Sequence, residues 1–410
     1  MKTYEEALQL ALSRAFTLSS KLMPLMEALG LVLAEDIISK DSVPPFTNSA
    51  MDGFAVRAAD CALASASSSV MIKIIGEIQA GQSAVGYLGA LTSYRIMTGA
   101  VMPPGADTVI PSEEAKVLDD GWLEVSKQPQ HGDHVRIVGE DVTKGQVAVS
   151  KMRLLRPAEI GVLATIGCVE VPVYPRPVVA VITTGNELVD AVEQPGFGQI
   201  RDANIYSICA QTRAVGAVVL PYPRVLDRLD IVTDVLAKAV TDADVVLING
   251  GISVGDFDYA KTALNNLGAE QIFWRVAQKP GGPLGLWILN GKLVFGIPGN
   301  PVAAIIMFEE YVRPVLRKIM GYKYLHRPEQ IGIVDADWCK HGSVGRMNFL
   351  RVITRVHEQR LHVAPTGPQG SGLLSSMMCA NALALIPAGT GRIPAGGEVL
   401  LHLIDEPENH

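Results

Sequence analysis

Cysteine is scarce and scattered in this chain of 410 residues: Cys61, Cys168, Cys209, Cys339 and Cys379, with no CxxC pair. An odd number at wide spacing excludes a disulfide framework and a cysteine zinc cage, and fits reduced thiols in a cytoplasmic protein. Charge is thin as well, at 19% of residues, and Lys+Arg 35 against Asp+Glu 42 leaves a net −7. That balance argues against broad electrostatic binding of nucleic acid, while a local basic pocket remains open. Hydrophobic residues make up 48%, yet Pro, Gly or charge interrupts every apolar run before it could span a membrane. The start MKTYEEALQL lacks a basic n-region and an apolar h-region, so no secretory signal is expected. The Walker A pattern and GxGxxG are both missing, which removes the common nucleotide fingerprints.

What is present suggests several domains, since one core rarely organises so long a chain. Residues 3–16 and 22–35 carry helix-like periodicity. VPPFTNSAMDGFAV (43–56) is irregular, and CALASASSSV (61–70) reads as a surface loop. From 70 to 150, short apolar runs broken by Gly and Pro predict a β-rich insertion. RPAEIGVLATIG (156–167) predicts a helix, and VPVYPRP (171–177) a stiff linker at a domain boundary. Over 172–325, strands alternate with helices, the pattern of a wound parallel sheet. Beyond HRP (326–328) short strands return, predicting a small all-β domain.

Ligands of open parallel sheets bind beyond the carboxyl ends of the strands. Three predicted strand ends carry unusual loops: TTGNE (183–187), NGGISVGDFD (249–258) and PGNP (298–301). Glycines such as Gly250 and Gly251 let a ligand approach the backbone, and helix N-termini favour an anion. Thr183, Thr184 and Ser253 add hydroxyls. Glu187, Asp256 and Asp258 add hard oxygens suited to Mg²⁺. Arg275 and Lys279, in WRVAQKPGGP, can meet phosphate. One such loop is usually a turn; three polar ones at strand ends point to a metal-bridged phosphorylated ligand. HGDH (131–134) is a weaker metal candidate, because it lacks a third ligand.

The segments PPFTNSAMDGFAV, RIMTGAVMPPGAD, GED, ITTGNEL, NGGISVGDFDYAK, QKPGGPLGL, GIPGNPVAA and PTGPQGSGLLSSM occur in a fixed order. In this order they resemble the MoeA family of molybdopterin molybdenumtransferases and the corresponding half of gephyrin. The resemblance covers nearly the whole chain. It implies a multidomain α/β fold: a wound parallel-sheet molybdopterin-binding domain at 172–325, joined by an N-terminal helix at 1–20. A linking domain at 21–43 and 145–171, a β-rich insertion at 44–144 and a C-terminal β-barrel at 326–410 complete it.

The implied activity inserts molybdenum from molybdate into adenylylated molybdopterin and releases AMP, with Mg²⁺ as cofactor. Implied partners are a second copy of the chain and other molybdenum-cofactor biosynthesis proteins. Motif by motif, the resemblance places Asp52, Thr98, Arg136, Asp141, Glu187, Asp227, Asp258 and Lys279 in a cleft, with Pro298, Pro301 and Ser371. Three departures stand out. Gly282 replaces a frequent lysine, Arg275 replaces another, and Pro368 stands where a histidine is common. Two rival readings are an adenylyltransferase that loads the pterin and a non-enzymatic scaffold. The first resembles a single-domain protein, which the extra domains disfavour.

Overall fold

A computed structural model describes residues 1–84, 86–252, 259–339 and 345–405. The amino-terminal helix Tyr4–Arg14 opens with a reciprocal cap: Thr3 Oγ1 accepts from the Glu6 amide, and Glu6 Oε2 accepts from the Thr3 amide. Its Ala7 and Ala11 are fully buried in a core shared with Phe295, Tyr311 and Phe349.

The second expected helix, 22–35, is replaced by strand Lys21–Pro24, a 3₁₀ turn Leu25–Glu27 and strand Val32–Leu33. Pro24 lacks the amide a helix needs, and Gly30 turns at φ 76°. Both strands pair with Glu170–Tyr174, so most of the expected linker is the centre of a three-stranded sheet. The helix Pro157–Thr165 adds Leu163 to the same core. Residues 53–125 contribute a separate six-stranded sheet around Phe54, Ile72 and Leu123.

The α/β sheet runs in the order Val218–Pro221, Val178–Thr183, Val245–Asn249, Lys292–Ile297, Gly285–Leu289, Glu270–Trp274. The first four strands are parallel; Gly285–Leu289 runs antiparallel to both its neighbours, so Glu270–Trp274 points with the first four. The parallel strands are continuous apolar runs because helices cover both faces. The first strand in sequence, Val178–Thr183, lies between the second and third. The winding therefore reverses beside it, which makes a crevice at its carboxyl end.

At the C-terminus, strands Glu329–Val334, Met347–His357, Arg360–Pro365, Ala382–Ile386 and Glu398–Leu403 close into a barrel. Its sheet gains one further strand, Gln278–Lys279 from the α/β region, paired with Met347 and Asn348. Among the described residues no helix is long and apolar enough to cross a membrane.

Candidate functional site

Thr183, Asn249 and Ile297 stand in register at the ends of three neighbouring strands. Asn249 ties their loops together. Its main-chain carbonyl accepts the Thr184 amide at 3.0 Å, and its Nδ2 donates to the Pro298 carbonyl at 2.7 Å. Its Oδ1 accepts from Asn204 Nδ2 at 2.7 Å, and the same Nδ2 donates to the Gly299 carbonyl at 2.7 Å. Asn204 is fixed because Asp202 caps its helix through the Ile205 amide and takes the Thr183 hydroxyl.

Gly250 and Gly251 follow at φ 95° and 62°. A Cβ on Gly250 would stand 2.6 Å from the Thr184 carbonyl oxygen, so only glycine lets the turn seat there. Thr184 is buried beneath this turn and does not face the cavity.

Beyond these ends lies a cavity of about 760 Å³ between the α/β sheet and the barrel. One wall is Gly250–Ile252 with Pro298, Gly299 and Asn300; another runs from Arg275 to Pro283. The barrel supplies Arg346, Asn348, Gln369, Gly370 and Ser371. The Ser371 carbonyl accepts the Val302 amide at 3.2 Å, joining the loop 368–371 to the helix that starts at Pro301. Arg275, Lys279 and Arg346 are exposed cations on this lining, and no described Asp or Glu shares it. In a chain of net charge −7, that is a local basic pocket.

Arg351 deepens the charge from behind. It is fully buried, and its Nη2 donates to the Pro368 and Gly370 carbonyls at 3.0 and 3.2 Å. Gln369 locks the same loop by bonding the Arg351 amide and carbonyl. Burial lowers the Arg351 pKa, and no carboxylate among the described residues opposes that shift.

Of the sequence-predicted residues, Gly250, Gly251, Arg275, Lys279, Pro298 and Ser371 line this cavity together. Pro301 starts the adjoining helix. Ser253, Asp256 and Asp258 lie outside the described residues. Glu187 and Asp227 are near the crevice but not on the cavity lining. Glu187 is exposed, with no side-chain bond among the described residues, and folds back over Gly185. The Asp227 carboxylate accepts the Asn186 amide at 3.2 Å, and Asn186 Oδ1 accepts the Asp227 amide at 3.1 Å.

Asp52, Thr98, Arg136 and Asp141 are exposed on the β-rich region, and the cavity of their own chain includes none of them. Asp52 Oδ1 accepts from the Thr98 amide and hydroxyl, both at 2.7 Å, and these bonds lower its pKa. Among the described residues no three His, Cys, Asp or Glu converge on a metal-sized site, HGDH included.

Asn204, Asn249, Gln278, Arg346, Arg351 and Gln369 were not anticipated. The one readable signal was Arg351, a charge inside the apolar run NFLRVI, where alternation requires a reason for burial.

Three profiles match in chain order: MoeA N-terminal region (domain I and II) over 2–167, probable molybdopterin binding domain over 180–318, and MoeA C-terminal region (domain IV) over 340–404. The molybdopterin molybdenumtransferase of Haemophilus influenzae is 33% identical over 396 residues, 96% of this chain and 95% of that protein. That of Bacillus subtilis is 34% identical over 385 residues, 93% and 89% of the two chains. The crystal structure of the molybdopterin biosynthesis moeA protein from Pyrococcus horikoshii OT3 superposes with a TM-score of 0.84 at 30% identity. It covers 98% of this chain and 100% of that one. With the same three regions in the same order along nearly its whole length, the chain belongs to the MoeA family of molybdopterin molybdenumtransferases.

Proposed function

We propose that the chain transfers molybdenum from molybdate to adenylylated molybdopterin and releases AMP. The observation that carries this reading is a cation-lined cavity, free of described acids, at the strand ends of an acidic MoeA-family chain. Molybdate and both phosphates of the substrate are anions, and such a cavity selects for them.

Lys279 and Arg275 grip the phosphates, Lys279 as a point charge and Arg275 as a planar fork. The Gly250–Gly251 turn brings backbone against the ligand. Arg346 and the Ser371 hydroxyl hold oxyanion oxygens on the barrel side, with Arg351 fixing that loop from behind. Gly282 leaves room where the family often has a lysine: its Cβ would find no atom closer than 3.5 Å.

Glu187 is an exposed hard-oxygen donor with no side-chain bond among the described residues, which fits a divalent cation such as Mg²⁺, with Asp256 and Asp258 as proposed co-ligands. Bound there, the cation would polarise the phosphoanhydride.

Asp52, Thr98, Arg136 and Asp141 are absent from the cavity of their own chain, and this supports a site completed by a second copy. In that reading the chain works as a cytoplasmic homodimer, with the β-rich region of one subunit facing the α/β sheet of the other.

The test is to supply adenylylated molybdopterin and molybdate and to analyse the pterin for molybdenum. A loaded pterin, with no ATP consumed, is the expected product. ATP turnover without molybdate would favour the adenylyltransferase instead, and no product at all would favour the scaffold.

A further inference from the structure

Gln278 is 1% exposed in the cavity wall, and both ends of its amide are engaged. Its Nε2 donates to the Gly281 carbonyl at 3.1 Å, across the turn that carries Lys279 and Pro280. Its Oε1 accepts the Tyr311 hydroxyl at 2.5 Å. Gly281 is at φ 85°, and a Cβ there would stand 2.5 Å from Met307 Sδ, so the turn sits hard against the helix below.

The main chain here is held from two further sides. Lys2 bonds the Arg275 carbonyl at 3.2 Å and the Ala277 amide at 2.8 Å, and the Met347 amide donates to the Ala277 carbonyl at 2.9 Å. The N-terminus, the α/β region and the barrel therefore meet at this segment. Backbone bonds hold its approach, and the Gln278 side chain bridges the turn itself.

We propose that Gln278, held by Tyr311, is a positioning residue that sets where the Lys279 ammonium stands in the cavity. This rests on the reading of Lys279 as the anion grip. Tyr311 fixes the acceptor end of the amide, which leaves Nε2 aimed at Gly281. Tyr311 is itself packed edge-on against Tyr4, at 5.6 Å between ring centroids. The Tyr4 hydroxyl donates to Glu310, whose carboxylate also bonds His402 of the barrel. The position of Lys279 is thereby referred to three parts of the fold at once.

The experiment compares wild type with Gln278→Met, Gln278→Glu, Tyr311→Phe and the Gln278→Met/Tyr311→Phe double variant. Met fills the space without hydrogen bonds. Glu keeps an acceptor for Tyr311 and loses the donor to Gly281. Two quantities are read: kcat and KM for molybdate in AMP release, and the rate of reductive methylation of Lys279 in the ligand-free protein, followed by peptide mass spectrometry.

A displacement of about 1 Å can cost roughly 10²-fold in rate. Gln278→Met is therefore expected to lower kcat/KM by about 10- to 100-fold and to change the Lys279 methylation rate severalfold. Gln278→Glu, which keeps only the Tyr311 contact, should lose as much as Gln278→Met. The double variant should be no worse than Gln278→Met alone, because the two side chains act as one unit.

If Gln278→Met does not fold, Tyr311→Phe, which keeps its ring, decides by the same two readouts. Wild-type kcat/KM and wild-type Lys279 methylation in folded variants would overturn the proposal. So would losses that follow the melting temperature while Lys279 reactivity stays fixed. If Lys279→Ala itself loses nothing, the functional reading fails, and the methylation rates still decide on Gln278.

Discussion

Arg351 is a guanidinium at zero exposure: its Nη2 is bonded to loop carbonyls, its Nε has no partner among the described residues, and no described carboxylate opposes it. A buried charge without a counter-ion is expensive, and an anion in the adjoining cavity offsets that cost. Lys279 and Arg275 were legible in the sequence because Gly and Pro around them mark a loop, and loops expose cations. Asn204, Asn249 and Gln278 were not, since a side chain that ties loops together leaves no periodic trace. Glu159 shows the opposite electrostatic case. The Arg156 side chain first, against burial, and then Arg153 hold its carboxyl down at about 2. A folded pKa below the unfolded 4.5 adds stability above pH 4.5, which is lost as pH falls towards 2. Glu159→Gln should therefore lower the melting temperature at neutral pH and flatten its decline between pH 4.5 and 2, read by thermal melts across that range.

Among the elements, the wound sheet was legible because buried parallel strands are unbroken apolar runs such as VVAVI, DVVLI and KLVFGI. Glu270–Trp274 and Gly285–Leu289 were missed: EQIFW is mixed in polarity, and GLWIL is a five-residue apolar run set between the PGGP turn and Asn290–Gly291. The stretch 22–35 misled because its apolar spacing imitates a helix that Pro24 and Gly30 forbid. In the long helix after Pro301, Pro314 has no amide for the Glu310 carbonyl, and the backbone loosens into a π-turn at Phe308–Val312. At Gly250 the element and the site coincide. Gly250→Ala must hold φ 95° and clear the Thr184 carbonyl, whereas Gly121→Ala meets only φ 81° and open space. Left-handed strain alone costs about 1–3 kcal/mol. Denaturant unfolding should show the larger loss for Gly250→Ala, and AMP release should fall in that variant alone.

Across the whole molecule, Glu310 is where the N-terminal helix, the α/β region and the barrel are hydrogen-bonded together. It is 3% exposed and bonds both Tyr4 and His402. Burial alone would lower the His402 pKa, but Glu310, with Glu329 behind it, raises it. The stabilisation is thus complete below the unfolded pKa, near 6.5, and is lost as pH rises through the folded value. Glu310→Gln should cost roughly 3–5 kcal/mol below pH 6.5 and less at pH 9, measured by unfolding at both. Such a junction joins residues some 300 positions apart, which no local pattern announces. The subunit arrangement is likewise beyond local pattern, but it can be tested. When Asp52→Ala and Lys279→Ala chains assemble at equal amounts, half the dimers are mixed and one site in each mixed dimer is whole. Activity should recover to about a quarter of wild type if sites are shared, and stay absent if each chain builds its own. The central claim, that this cavity receives the anions of the reaction, is tested most directly by titrating molybdate while measuring AMP release from adenylylated molybdopterin in wild type and Lys279→Ala. Wild type should release AMP only with molybdate, and Lys279→Ala should need far more molybdate or fail; equal titration curves, or release without molybdate, would contradict the account.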